Sequence, residues 1–401
     1  MKKFIFSFCL LMSFATTLMA QNPFVTKTDM IEDFNVSPNG EMIVYRELIA
    51  EGLPQVSMKN LKTGEITLVS SVNIMSDNAI MDLFSGADFL SDNVVVFCKD
   101  GYMVSFDMKE KKSRQLFKLP DALIHFVKAS NDGKGVYWAG YDRVYYASVE
   151  KGIVAQTDKI DETFMSLTID LHNRVLCTTT AGKVYCFDGL NKEKDMTSEI
   201  TELVAKPYLV EATPNDDCFI IAGKEGVFTI DLSAGKSMKL MDNKKENPLY
   251  IMRLSPEGKA LYYNTMNEKR IIRKLNIGAT GNDNSDIVLD IASERNFAPL
   301  PHTEDGIYYK VDELAEFPGG EVAMRNFIDE HFKQPATRNQ GMVTAVVVVG
   351  ADGQIGEIKV VCSEEVKKEI MRVVRLMPKW KPAKVGGKPV PMFYSISFTV
   401  K

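Results

Sequence analysis

The chain has 401 residues, of which 45% are hydrophobic and 25% charged, and this length and composition predict two or more globular domains. Its formal net charge of -5 excludes the basic field of a typical nucleic-acid binder, so no nucleic-acid partner is expected. The histidines His125, His172, His302 and His331 lack the spacing of metal ligands, and no metal site is predicted.

The N-terminus has the pattern of a secretory signal peptide. Lys2 and Lys3 precede an apolar stretch at 4–18, and Ala20 supplies a small residue for cleavage. We predict that residues 1–20 are removed, that no stable membrane span remains, and that the protein is periplasmic. The alternative is a retained helix that anchors the protein in the inner membrane, facing the periplasm. The stretch is short for a span and contains serine and threonine.

Residues 21–300 are dominated by short β-branched and aromatic runs between polar turns. Turns of one kind recur about 40 residues apart, a period typical of a four-stranded propeller blade. The pattern predicts an all-β propeller of six blades, or of seven if residues 24–30 and 307–311 share one. Another all-β array of similar length is the alternative.

The repeat units resemble the Ser-Pro-x-Gly blades of WD-like propellers in bacterial envelope proteins. Residues 37–40 are Ser-Pro-Asn-Gly and residues 255–258 are Ser-Pro-Glu-Gly. The resemblance implies a rigid disc whose loop faces bind proteins or ligands.

The sequence contains no recognisable catalytic constellation. It has no Gly-x-Ser-x-Gly elbow, no phosphate-binding loop and no dinucleotide fingerprint. We therefore predict a non-enzymatic protein with no catalytic residues and no cofactor. The alternative is a ligand-sensing or enzymatic propeller that uses the C-terminal unit for docking. Polar side chains around the central channel would favour that alternative.

One cross-strand disulfide is compatible with an oxidising compartment. If Ala181 and Gly182 form a two-residue turn, Cys177 lies opposite Cys186 in a hairpin. Their Cα atoms would be about 4.5 Å apart, at the short end of disulfide geometry. Buried cysteines without a disulfide are the alternative.

The end of the chain predicts a linker at 301–315 and a small α+β domain at 316–401. Apolar residues at helical spacing predict one helix after the glycine pair at 319–320 and a second at 366–377. β-branched runs predict strands, which are placed at 342–349, 355–361 and 392–400.

These last residues resemble the TonB C-terminal domain family. The residues that carry the resemblance are Phe317, Pro318, Gly319, Gly320, Pro378, Trp380, Pro382, Gly387 and Pro389. The connection at 334–341 is shorter than the family's usual one.

The resemblance implies binding of an outer-membrane TonB-dependent transporter, or of another envelope protein, by strand addition. It places the receiving edge on the last strand, with Phe393, Ser395, Ser397 and Thr399 as partner-binding residues. A membrane-anchored energy transducer is the alternative if the signal peptide is retained.

Overall fold

The structure is a computed structural model that describes residues 29–48, 55–71, 86–120, 125–140, 142–152, 154–190, 192–278, 285–294, 302–303, 305–309, 311–334, 341–360 and 362–400. The predicted signal peptide, residues 1–20, lies outside the described residues. Among the residues that are described, no helix is both long enough and apolar enough to cross a membrane.

Six consecutive segments of the described chain each fold into a four-stranded antiparallel sheet. The strands of the first two sheets are β1 (Met30–Val36), β2 (Met42–Leu48), β3 (Gln55–Asn60), β4 (Ile66–Ser71), β5 (Ala87–Ser91), β6 (Val94–Lys99), β7 (Tyr102–Asp107) and β8 (Lys112–Lys118). The strands of the next two are β9 (His125–Ala129), β10 (Gly135–Ala139), β11 (Val144–Ser148), β12 (Val154–Gln156), β13 (Phe164–Ile169), β14 (Val175–Thr179), β15 (Val184–Asp188) and β16 (Lys192–Asp195).

The fifth and sixth sheets follow the same plan. Their strands are β17 (Leu209–Ala212), β18 (Cys218–Ala222), β19 (Gly226–Asp231), β20 (Lys236–Asp242), β21 (Leu249–Leu254), β22 (Ala260–Thr265), β23 (Ile271–Asn276) and β24 (Asp286–Asp290). Two short helices, α1 (Thr197–Thr201) and α2 (Ile291–Glu294), follow β16 and β24.

The six sheets are arranged around a common centre. Their first strands, β1, β5, β9, β13, β17 and β21, contact one another in a ring. Neighbouring sheets pack through buried apolar clusters, and the last sheet packs against the first, because Ile31 and Phe34 share a cluster with Ile251 and Ile272. This propeller-like arrangement confirms the predicted all-β class for this part of the chain.

The polar turns that repeat along the sequence share one hydrogen-bonding arrangement. The hydroxyl oxygens of Ser37, Ser130 and Ser255 each accept a hydrogen bond from the backbone N–H five residues later, at 2.9, 2.9 and 3.0 Å. The glycine three residues after each serine has a positive φ of 66–73°. A side chain would be strained there, so the sequence repeat is a repeat of turn geometry.

The C-terminal domain contains two helices, a three-stranded antiparallel sheet and a small hairpin. Its elements are α3 (Gly320–His331), β25 (Gly341–Val349), β26 (Ile355–Val360), α4 (Glu364–Leu376), β27 (Ala383–Val385), β28 (Lys388–Val390) and β29 (Met392–Val400). The sheet order is β26-β25-β29, and apolar side chains of both helices pack on one face of it. The predicted α+β class is confirmed, whereas the β27–β28 hairpin is not among the predicted elements.

The described part of the predicted linker, residues 301–315, runs along the C-terminal domain. Tyr308 forms a parallel bridge with Met392, at the start of β29. The ring of Tyr309 stacks on Phe393, with centroids 4.8 Å apart, and covers part of the sheet face that the helices leave open. This segment therefore contributes to the packing of the C-terminal sheet.

The predicted pairing of Cys177 with Cys186 is wrong. In the β14–β15 hairpin, Cys177 lies opposite Tyr185. The cause is the turn, which has three residues between Thr179 and Lys183 and ends at a glycine with φ 77°, so the register shifts by one residue. The two cysteines belong to different apolar clusters on opposite faces of the sheet, and no disulfide joins them.

Candidate functional site

β29 is an edge strand, because it pairs with β25 on one side and ends the sheet order. The Phe393 N–H donates to the Tyr308 carbonyl at 3.0 Å, and the Thr399 carbonyl accepts from the Gln334 side-chain amide at 3.0 Å. Both groups therefore face the outer edge. The direction of backbone groups alternates along a strand, so Ser395 and Ser397 face that edge too. The structure thus places all four predicted partner-binding residues along one edge.

The side chains of these four residues differ in exposure. Phe393 is buried beneath the ring of Tyr309, with 9% of its surface exposed. Ser395 is half-buried, whereas Ser397 and Thr399 are exposed. A strand added here would meet backbone groups along the edge, but exposed side chains only in the C-terminal half of β29.

The aromatic and glycine residues of the family motif build the domain rather than the edge. Phe317 and Trp380 are buried, and their rings meet edge to face with centroids 5.6 Å apart. The motif glycines Gly319, Gly320 and Gly387 have positive φ values, a backbone conformation that glycine adopts without strain. Their conformation supports the turn into α3 and the β27–β28 turn.

The motif prolines lie near the ends of elements. Pro318 is exposed and precedes α3, Pro378 follows the end of α4, and Pro382 precedes β27. Pro389 is exposed in the short strand β28, opposite Lys384. These positions suit a residue that has no backbone N–H to donate.

A second candidate site lies in the propeller-like domain, where charged side chains from the first strands meet. Arg253 donates to Asp33 Oδ1 at 2.6 Å, to Asn35 Oδ1 at 2.8 Å and to Glu211 Oε1 at 3.1 Å. The Nζ of Lys128 donates to the same Asn35 oxygen at 2.6 Å. Arg253 is 3% exposed, so this network is held away from bulk water.

Burial changes the protonation of this cluster. It raises the pKa of Asp88 to about 6, although Lys128 and two backbone N–H groups act in the opposite direction. Burial likewise raises the pKa of Asp33 above its ordinary value, against the attraction of Arg253. It lowers the pKa of Lys128. Charges of both signs are therefore only partly compensated by their neighbours.

No predicted site residue belongs to this cluster, yet the sequence carries a signal for it. Asp33, Lys128, Glu211 and Arg253 each stand among apolar residues in the first strand of a repeat. Charged residues rarely sit in buried strands unless they are paired. Their recurrence at one place in several repeats indicates a shared polar centre.

Asp88→Asn is expected to remove a pH dependence of stability. The pKa of Asp88 is about 6 in the folded protein against an ordinary 3.8, so the folded state binds more protons between these values. Ionised Asp88 therefore makes the fold less stable as the pH rises through this window. Relative to the wild type, the free energy of unfolding of the variant should rise by about 2 kcal/mol between about pH 4 and about pH 7. Urea titrations at both pH values measure this.

Asp132→Asn is the control, because Asp132 is exposed and a hydrogen bond from Ser130 lowers its pKa. Relative to the wild type, the free energy of unfolding of Asp132→Asn should therefore fall, not rise, as the pH increases. If the free energies of unfolding of the wild type and of Asp88→Asn change equally with pH, Asp88 is not the source of the pH dependence.

These features define a modular protein in which a propeller-like domain precedes a small α+β domain with an open sheet edge. Residues 335–400 match the family model described as Gram-negative bacterial TonB protein C-terminal. The resemblance predicted from the sequence is confirmed for this part of the chain. The match begins after α3 and leaves the propeller-like domain outside it.

The comparison with curated proteins found no match. Among solved structures, a chain from the "Crystal structure of Nidogen/Laminin Complex" is 13% identical to this chain, with a TM-score of 0.41. The alignment covers 55% of this chain and 82% of that chain.

Proposed function

We propose that the protein is a non-enzymatic envelope protein that faces the periplasm and binds an outer-membrane partner through its C-terminal domain. The partner is a TonB-dependent transporter or another envelope protein, and residues 1–20 are cleaved on export. The family match of residues 335–400 supports this proposal. TonB-type domains act in the cell envelope, which agrees with the signal-peptide pattern at the N-terminus.

The edge position of β29 is the observation that carries the proposal. An extended peptide that adds to this edge gains main-chain hydrogen bonds, and an exposed edge is otherwise prone to unwanted pairing. The contacts of Tyr308 with Phe393 and of Gln334 with Thr399 bound the stretch that accepts the peptide. The added strand is therefore short, on the order of three to five residues.

Ser397→Pro is expected to abolish partner capture. The N–H of Ser397 faces the outer edge, so proline removes a donor to the added strand without removing a β25–β29 hydrogen bond. The tagged full chain is incubated with detergent-solubilised envelope, and captured proteins are identified by mass spectrometry. We expect the wild type to retain outer-membrane proteins that the variant loses.

Ser397→Ala is the matched control, because it removes the exposed hydroxyl and keeps the backbone donor. It should capture the same proteins as the wild type. Equal capture by Ser397→Pro and Ser397→Ala would overturn strand addition at β29.

We infer further that the six sheets form a complete six-bladed propeller that acts as a rigid disc. The packing of Ile31 in the first sheet against Ile251 in the last supports a closed ring. In this proposal the disc holds the C-terminal domain in the periplasm and leaves its edge accessible.

A further inference from the structure

A cavity of about 220 Å³ opens where the first strands end, on one side of the ring that they form. Its floor contains Asp88, Lys128, Glu211 and Arg253. Its rim is mixed, because Leu171, which is 53% exposed, and Pro214 lie beside Asn131 and Thr213. The cavity therefore leads from solvent to a buried charged floor. It is smaller than the pockets of about 300–1,000 Å³ that hold drug-sized ligands.

Lys128 presents unused hydrogen-bonding capacity to this cavity. An ammonium group has three N–H donors. One of those of Lys128 is given to Asn35 at 2.6 Å, and its nearest carboxylate oxygen, on Glu211, is 3.9 Å away. No other hydrogen bond of the Lys128 ammonium is found among the described residues, although only 11% of the side chain is exposed. A buried ammonium with spare donors favours an incoming anionic group.

Glu211 presents the complementary capacity. Its Oε1 accepts from Arg253 at 3.1 Å, whereas Oε2 accepts no hydrogen bond from any described residue. Only 6% of the side chain is exposed. Arg253 is already occupied by Asp33, Asn35 and the Met252 carbonyl. The open oxygen of Glu211 therefore favours an incoming cationic donor.

We propose that this cavity binds a small α-amino acid as a zwitterion, with its ammonium group on Glu211 and its carboxylate on Lys128. A zwitterion supplies both missing partners and brings no net charge into a buried place. Asp33, Asp88 and Glu211 face only two cations, so a simple anion would add to the excess of carboxylates, and a simple cation would leave the spare donors of Lys128 unused. The volume and the mixed rim, where Leu171 lies beside Asn131, suit a short side chain that is aliphatic or carries a hydroxyl group. A metal ion is disfavoured, because no group of acidic, histidine or cysteine side chains among the described residues could hold one.

The test uses the full-length protein and isothermal titration calorimetry with glycine, L-alanine and L-serine. Ethylamine and propionate serve as matched probes that each lack one of the two charges. We expect saturable binding of at least one amino acid, and binding of both probes weaker by about tenfold or more. No heat from any amino acid up to about 10 mM, or equal binding of either probe, would overturn the proposal.

Variants then test the two named contacts. Glu211→Gln and Lys128→Met should each weaken amino-acid binding by about tenfold or more. Glu225→Gln makes the same charge change on the exposed turn between β18 and β19, and should leave binding unchanged. Unchanged binding in Glu211→Gln would overturn the proposal. If either variant fails to fold by thermal melting, the comparison of probes on the wild type still decides.

Discussion

Arg253→Met is expected to lower the free energy of unfolding of the propeller-like domain by about 3–5 kcal/mol. Arg253 is 3% exposed and bonds Asp33 and Glu211 at 2.6 and 3.1 Å. Its loss leaves buried Asp33 without its ion-pair partner and leaves Glu211 with only the Lys128 ammonium, 3.9 Å away. Trp138 is buried in this domain, and the only other tryptophan, Trp380, lies in the C-terminal domain. Denaturant unfolding in a Trp380→Phe background, followed by fluorescence, therefore reports on the propeller-like domain.

Arg270→Met is the control for this experiment. The Arg270 side chain is 52% exposed and lies 3.6 Å from Asp290, so it makes an ordinary surface ion pair. Such a pair contributes about 0–1 kcal/mol, and the variant should unfold close to the wild type. Equal losses in Arg253→Met and Arg270→Met would show that the buried network does not hold the first strands together.

Trp380→Ala is expected to destabilise the C-terminal domain by about 3–5 kcal/mol. Trp380 is 2% exposed and packs edge to face on Phe317 at 5.6 Å and on Tyr394 at 4.8 Å. Its Nε1 donates no hydrogen bond to any described residue, so the loss is one of packing. Hydrogen exchange of α4 should accelerate strongly, whereas exchange in β1 and β21 should not change.

Pro389→Ala is the control, because it changes an exposed residue of the family motif instead of a buried one. Pro389 is exposed in β28, and its replacement should change stability by no more than about 0.5 kcal/mol. If α4 is equally protected from hydrogen exchange in Trp380→Ala and in Pro389→Ala, Trp380 does not have the core role given to it.

The elements of the C-terminal domain are predicted well because their signals are local. The β-branched run at 342–349 becomes β25, and the alternation at 392–400 becomes β29 with the same bounds. The β27–β28 hairpin is missed because its two strands have three residues each and carry lysine and proline rather than an apolar pattern. Short elements of this kind depend on the surrounding fold.

The remaining differences have long-range causes. One extra residue in a hairpin turn shifts the strand pairing by one residue and so moves each side chain to the other face of the sheet relative to its expected partner. Cys177 and Cys186 therefore lie on opposite faces. The partner of Tyr308 is Met392, so no local pattern reveals that contact. Arg253 and Asp33 are likewise distant in sequence, and only the closing of the ring brings their charges together.

Each of the six sheets is complete within one continuous stretch of the chain. No strand is exchanged between the first and last sheets among the described residues. The junction is made by side-chain packing, by the Arg253–Asp33 and Lys59–Glu294 ion pairs, and by the Ile31 N–H, which donates to the Lys269 carbonyl at 2.9 Å. A circular permutation with new termini between β4 and β5 would therefore leave the strand pairing of every sheet intact. Every connection between two sheets is therefore an equivalent place for the termini of the propeller-like domain.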